Sequence, residues 1–75
     1  SARLWYALYI WRGETGWVRR NVFEDQNAEL ARAMVLIDLA GDGNATVALV
    51  EGRSREDAES FPAYGAAWRR VSLTA

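Results

Sequence analysis

Leu4-Trp5-Tyr6-Ala7-Leu8-Tyr9-Ile10-Trp11 carries large apolar side chains at nearly every position. In an extended strand successive side chains point to opposite faces. Leu4, Tyr6, Leu8 and Ile10 then form one row, and Trp5, Tyr9 and Trp11 form the other. One row can face the core of a small domain, and the second has to meet something besides that core.

The segment that follows, Arg12-Gly13-Glu14-Thr15-Gly16-Trp17, sets two glycines around a polar pair, which is the chemistry of a tight hairpin. It predicts pairing of residues 3–12 with 17–23. If Gly13 lies opposite Gly16, then Trp11 opposes Val18, Tyr9 opposes Arg20 and Ala7 opposes Val22, all on the aromatic side. Leu4, Tyr6, Leu8, Ile10, Trp17, Arg19, Asn21 and Phe23 share the other side. That side is the more continuous apolar surface and is assigned to the core.

Beyond Phe23 the period changes. Asp25 or Asn27 suits a helix N-cap, and good helix formers follow from Glu29 to Leu36. Leu30, Met34 and Ile37 stack at helical spacing, Ala33 and Ala40 can join them, and Gly41 supplies a stop. The rival reading pairs a strand at 34–40 with one at 45–50. Thr46-Val47-Ala48-Leu49-Val50 reads as a central strand buried on both faces, ended by Glu51-Gly52. Ser54 and Asp57 resemble a capping box opening a short, solvated helix that Pro62 closes. Residues 66–73 suit a final strand, although Tyr64, Ala67, Trp68 and Val71 also fit one helical face.

The elements add up to a single α+β domain over residues 1–75. The order is ββαβ, short helix, β: a small two-layer domain with an antiparallel sheet of about four strands and one main helix on one face. The other sheet face is expected to stay open. With 51% apolar residues and four tryptophans the chain has the composition of a folded domain, and with no cysteine its stability has to come from packing alone.

Composition also limits function. Histidine and cysteine are both absent, which removes the commonest general base, the commonest metal ligand and the strongest nucleophile. Glu24, Asp25, Glu56, Asp57 and Glu59 are explained by capping and solvation. Asp38 interrupts an apolar run and calls for an arginine partner, Arg32 or Arg69. Asp42-Gly43-Asn44-Ala45-Thr46 lacks the glycine and glutamate of a calcium loop, having Val47 and Arg53 in their places. Gly41 and Gly43 do not complete a dinucleotide fingerprint. No cofactor, metal or catalytic residue is expected, and the protein is read as non-enzymatic. A net charge of −1 argues against nonspecific nucleic-acid binding. No run is long enough to span a membrane and none reads as a secretory leader, so the expected location is cytoplasmic.

The functional expectation rests on the aromatic row. Trp5, Tyr9 and Trp11, with Arg20 across from Tyr9 and Trp68 nearby, make a candidate partner-binding surface of the residue types that dominate interface hot spots. Its first expected occupant is a second copy of the chain, giving a homodimer, and next a different protein. The alternative is single-stranded nucleic acid stacking on the rings. A further reading is purely structural, in which the last helix-like segment folds over the row and closes a second small core.

Overall fold

The computed structural model describes residues 3–40, 42 and 44–74. In chain order it contains β1 (Leu4–Arg12), β2 (Gly16–Asp25), α1 (Ala28–Asp38), β3 (Val47–Gly52), α2 (Arg55–Glu59) and β4 (Trp68–Val71). The strands form one antiparallel sheet in the order β2-β1-β3-β4. This is the α+β class and element order that the sequence predicts. Residues 34–38 are helical rather than part of a hairpin, and residues 68–71 are strand rather than helix. Gly41, the expected helix stop, and Gly43 lie outside the described residues.

The hairpin departs from the expected register. Arg12, not Gly13, pairs with Gly16, leaving Gly13-Glu14-Thr15 as a three-residue loop. The Thr15 amide donates to the Arg12 carbonyl at 3.2 Å, and Gly16 takes φ +74, the left-handed conformation this loop type places on glycine. Trp11 therefore faces Trp17 and Tyr9 faces Arg19. A bulge opposite Leu8/Tyr9 then makes Arg20 the extra residue, and from Asn21 onward the expected pairing returns, with Ala7 opposite Val22. A one-residue shift exchanges faces. Between turn and bulge it carries Trp17 and Arg19 to the aromatic side, against the expectation.

β1 and β3, the inner strands, are buried on both faces. On one side Tyr6, Leu8 and Leu49 pack with Ala31 and Val35 of α1. On the other, Ala7, Tyr9, Ala48 and Val50 pack with Ala58 of α2 and with Phe61. The second face is therefore closed, contrary to the expectation that it stays open and that the short helix is solvated.

α1 begins where the Asn27 side chain accepts from the Leu30 amide at 2.9 Å, satisfying a donor at the helix start that has no intrahelical partner. The stripe it turns to the sheet is not Leu30, Met34 and Ile37. The sheet contributes bulky Tyr6, Leu8, Phe23 and Leu49, so the helix meets it with Ala28, Ala31 and Val35, flanked by Leu39. Large side chains on one layer thus meet small ones on the other.

α2 is seated by Ser54, whose hydroxyl accepts from the Asp57 amide at 3.1 Å. It lies so close to the end of β3 that a Cβ on Gly52 would stand 2.6 Å from the Ala58 nitrogen. Only glycine admits that approach.

Candidate functional site

The aromatic row is organised around Phe61, which packs over this face of the sheet. The Phe61 ring lies 5.0 Å from Tyr9, 5.5 Å from Trp17 and 4.7 Å from Trp68, the last two edge-on. Trp11 meets Trp17 edge-on at 5.4 Å. These spacings and tilts are those of favourable aromatic pairs. Tyr9 is only 3% exposed, and its hydroxyl donates to the Ala58 carbonyl at 2.6 Å. Burial raises its pKa, partly countered by Arg19.

Of the five candidate residues, Tyr9 and Trp68 thus belong to one cluster with Phe61. Trp5 packs at its margin with the Arg55 guanidinium 5.6 Å from its ring centroid, and Trp68 is half-buried, its indole N–H donating to the Ala63 carbonyl at 3.3 Å. Trp11 stays 47% exposed. Arg20 is not on this face: it pairs with Asp38 at the end of α1, Nε to Oδ2 3.8 Å, so Asp38's partner is neither Arg32 nor Arg69. The arginine beside Tyr9 is Arg19, held by the Glu59 carboxylate at 3.4 Å. The row is the lining of a second core, closed by α2 and Phe61 rather than by the last segment of the chain. It is not an open platform.

Tyr6, Glu51 and Arg69 lie in one line across three strands. Tyr6 is opposite Glu51, and Glu51 is opposite Arg69. The Tyr6 hydroxyl donates to Glu51 Oε2 at 2.8 Å and Arg69 Nε donates to Oε1 at 2.6 Å. Burial pushes the Tyr6 phenol well above its usual range, and acceptance by Glu51 pushes it further. Burial alone would raise Glu51, but the hydrogen bonds from Arg69 and Tyr6 outweigh it and hold the carboxyl below its usual range. Each carboxylate oxygen already has a donor, so the line is a cross-strand clamp. Among the described residues no three acidic side chains gather where a metal ion could be held, and no helix is long and apolar enough to cross a membrane.

Among the described residues, large apolar side chains are exposed at Trp11, Val18 and Tyr64, and most densely on the outer side of α1, which also exposes Leu36. Leu30 is 47%, Met34 41% and Ile37 78% exposed, and they lie in one line at i, i+4 and i+7. The helix therefore carries two apolar stripes, a small-residue one on the sheet and a large-residue one in water. Both have helical spacing in the sequence, and spacing alone cannot rank them. A signal was present in that α1 is apolar on nearly all sides, a pattern that goes with contact on more than one face.

No protein-family model, curated protein or solved structure matches the chain.

Proposed function

We propose that this chain is a non-enzymatic assembly module that pairs with a second copy of itself across the outer side of α1. The observation that carries the reading is the inverted helix, with Ala31 and Val35 buried while Leu30, Met34 and Ile37 face water. The stripe is self-complementary by spacing. In an antiparallel pairing centred between Ala33 and Met34, Leu30 meets the partner's Ile37 and the bulky Met34 meets the partner's small Ala33. A net charge of −1 leaves little overall repulsion between copies.

The non-enzymatic part is supported by the missing histidine and cysteine and by the engagement of Tyr6, Glu51 and Arg69 with one another. A cytoplasmic location belongs to the same reading. The nucleic-acid alternative loses its platform, because Tyr9 is covered and Arg20 is paired on the opposite face.

Three partly exposed side chains per copy make a smaller patch than the ~800 Å² per partner of a standard interface. The dimer is therefore weak, with a dissociation constant above the ~1 µM that corresponds to about −8 kcal/mol. Sedimentation equilibrium from micromolar to millimolar protein tests it. Wild type shifts from monomer toward dimer, and Met34→Glu remains monomeric with an unchanged circular dichroism spectrum. Monomeric wild type at millimolar concentration, or a Met34→Glu dimer as strong as wild type, rules the reading out.

A further inference from the structure

β4 ends the sheet, and no strand among the described residues pairs with its outer edge. We propose that this edge receives an extended acidic segment of a partner protein, added as a fifth strand. Unpaired backbone N–H and C=O groups along an edge are a template for such addition.

The two edges of the sheet differ. β2 is interrupted by its bulge, and the arginines there are committed, Arg19 to Glu59 and Arg20 to Asp38. β4 has no bulge, and Arg69 and Arg70 project from it to opposite faces, in register with Glu51 and Val50. Arg69 holds Glu51, whereas Arg70 and nearby Arg53 have no acidic partner within ion-pair distance among the described residues. Arg53, Arg69 and Arg70 outnumber Glu51 and Asp57 around this end of the sheet, although the whole chain is slightly acidic.

Shape adds a second argument. Two shallow recesses lie along β4. One, of about 380 Å³, is lined by Glu51, Arg53, Trp68 and Arg69, and the other, of about 460 Å³, by Val47, Arg70, Val71 and Leu73. They lie toward opposite ends of β4, and the first reaches inward as far as Leu4 of β1.

The same charges decide against self-pairing. Two β4 strands paired about their middle would bring Arg69 and Arg70 of one copy beside those of the other, and like charges across a strand pair are destabilising. An acidic strand meets attraction at the same positions. This edge is separate from the outer side of α1, so the two proposals stand or fall independently.

The test titrates isotope-labelled protein with acetyl-Glu-Val-Glu-Thr-Glu-Val-Glu-Thr-amide, followed by amide chemical shifts. The expected result is saturable shifts confined to residues 47–53 and 68–73, slowed amide exchange in β4, and at least tenfold weaker binding by Arg70→Glu. Arg12→Glu, a charge reversal at the exposed hairpin end, leaves binding within twofold of wild type. Absence of β4 shifts at millimolar peptide overturns the proposal, as does equal binding of the same peptide with Lys in place of Glu. Equal competition by an octathymidylate would mark a general polyanion patch and would also overturn it.

Discussion

Gly52 and Ala58 are in backbone contact: a Cβ at position 52 would lie 2.6 Å from the Ala58 nitrogen and 2.9 Å from the Asp57 Cβ. This approach seats α2 on the end of β3 and closes the aromatic face. Because the obstructing atoms include backbone, they cannot swing aside. Gly52→Ala should destabilise the fold by about 1–3 kcal/mol, the range for overpacking a well-filled site. Chemical denaturation measures the loss, and a red shift of tryptophan emission from Trp5, Trp17 and Trp68 reports the loosened α2. Unchanged stability in Gly52→Ala would show that the helix does not sit where described.

The Tyr9 hydroxyl is the polar counterpart of that contact. Its hydrogen bond to the Ala58 carbonyl is buried, so Tyr9→Phe leaves the acceptor without this donor while preserving the ring. The expected cost is about 1–2 kcal/mol in the free energy of unfolding. A neutral Tyr9→Phe would place the hydroxyl in water and reopen the aromatic row as a surface.

Stability should be flat through neutrality and fall at both extremes. Glu51 has a folded-state pKa below its ordinary 4.5, so its contribution is complete above that value and is lost as the pH falls through the lower folded one. Tyr6 and Tyr9 have folded-state values above 10.0, so their contributions are complete below pH 10 and are lost as the pH rises beyond it. With no histidine or cysteine, no side chain has an ordinary pKa between about 5 and 8. Thermal unfolding across the pH range should give a plateau of Tm from about pH 5 to 9. A steep change of Tm between pH 6 and 8 would contradict this.

Much of the fold was legible because local signals and tertiary outcome agree. The glycines flanking Glu14-Thr15, the cap residues Asn27 and Ser54, and the unbroken apolar run at 47–50 each specify a local structure that the packed domain keeps. What was not legible depends on contacts between distant segments. The bulge at Arg20 has no local signature; between it and the turn, Trp17 lies on the aromatic side against Phe61, far along the chain. Gly52 reads as a strand end, and its role emerges only when α2 is laid on it. For α1, choosing between two apolar stripes requires knowing that the sheet presents Tyr6, Leu8, Phe23 and Leu49, which leaves room only for small residues. Of the aromatic candidates, Tyr9 and Trp68 lie in one cluster, and what covers them is supplied by residues 58–61, which carry no such signal in the sequence.

The reading of α1 as the pairing surface is tested most directly by a concentration series of two-dimensional amide spectra, because the same spectra contain the indole N–H signals of Trp5, Trp11, Trp17 and Trp68. As protein concentration rises toward millimolar, the amides of Leu30, Ala33, Met34 and Ile37 should shift together along one binding curve while the four indole signals stay fixed. Moving indole signals over a stationary α1 would place the contact on the aromatic face and contradict the account.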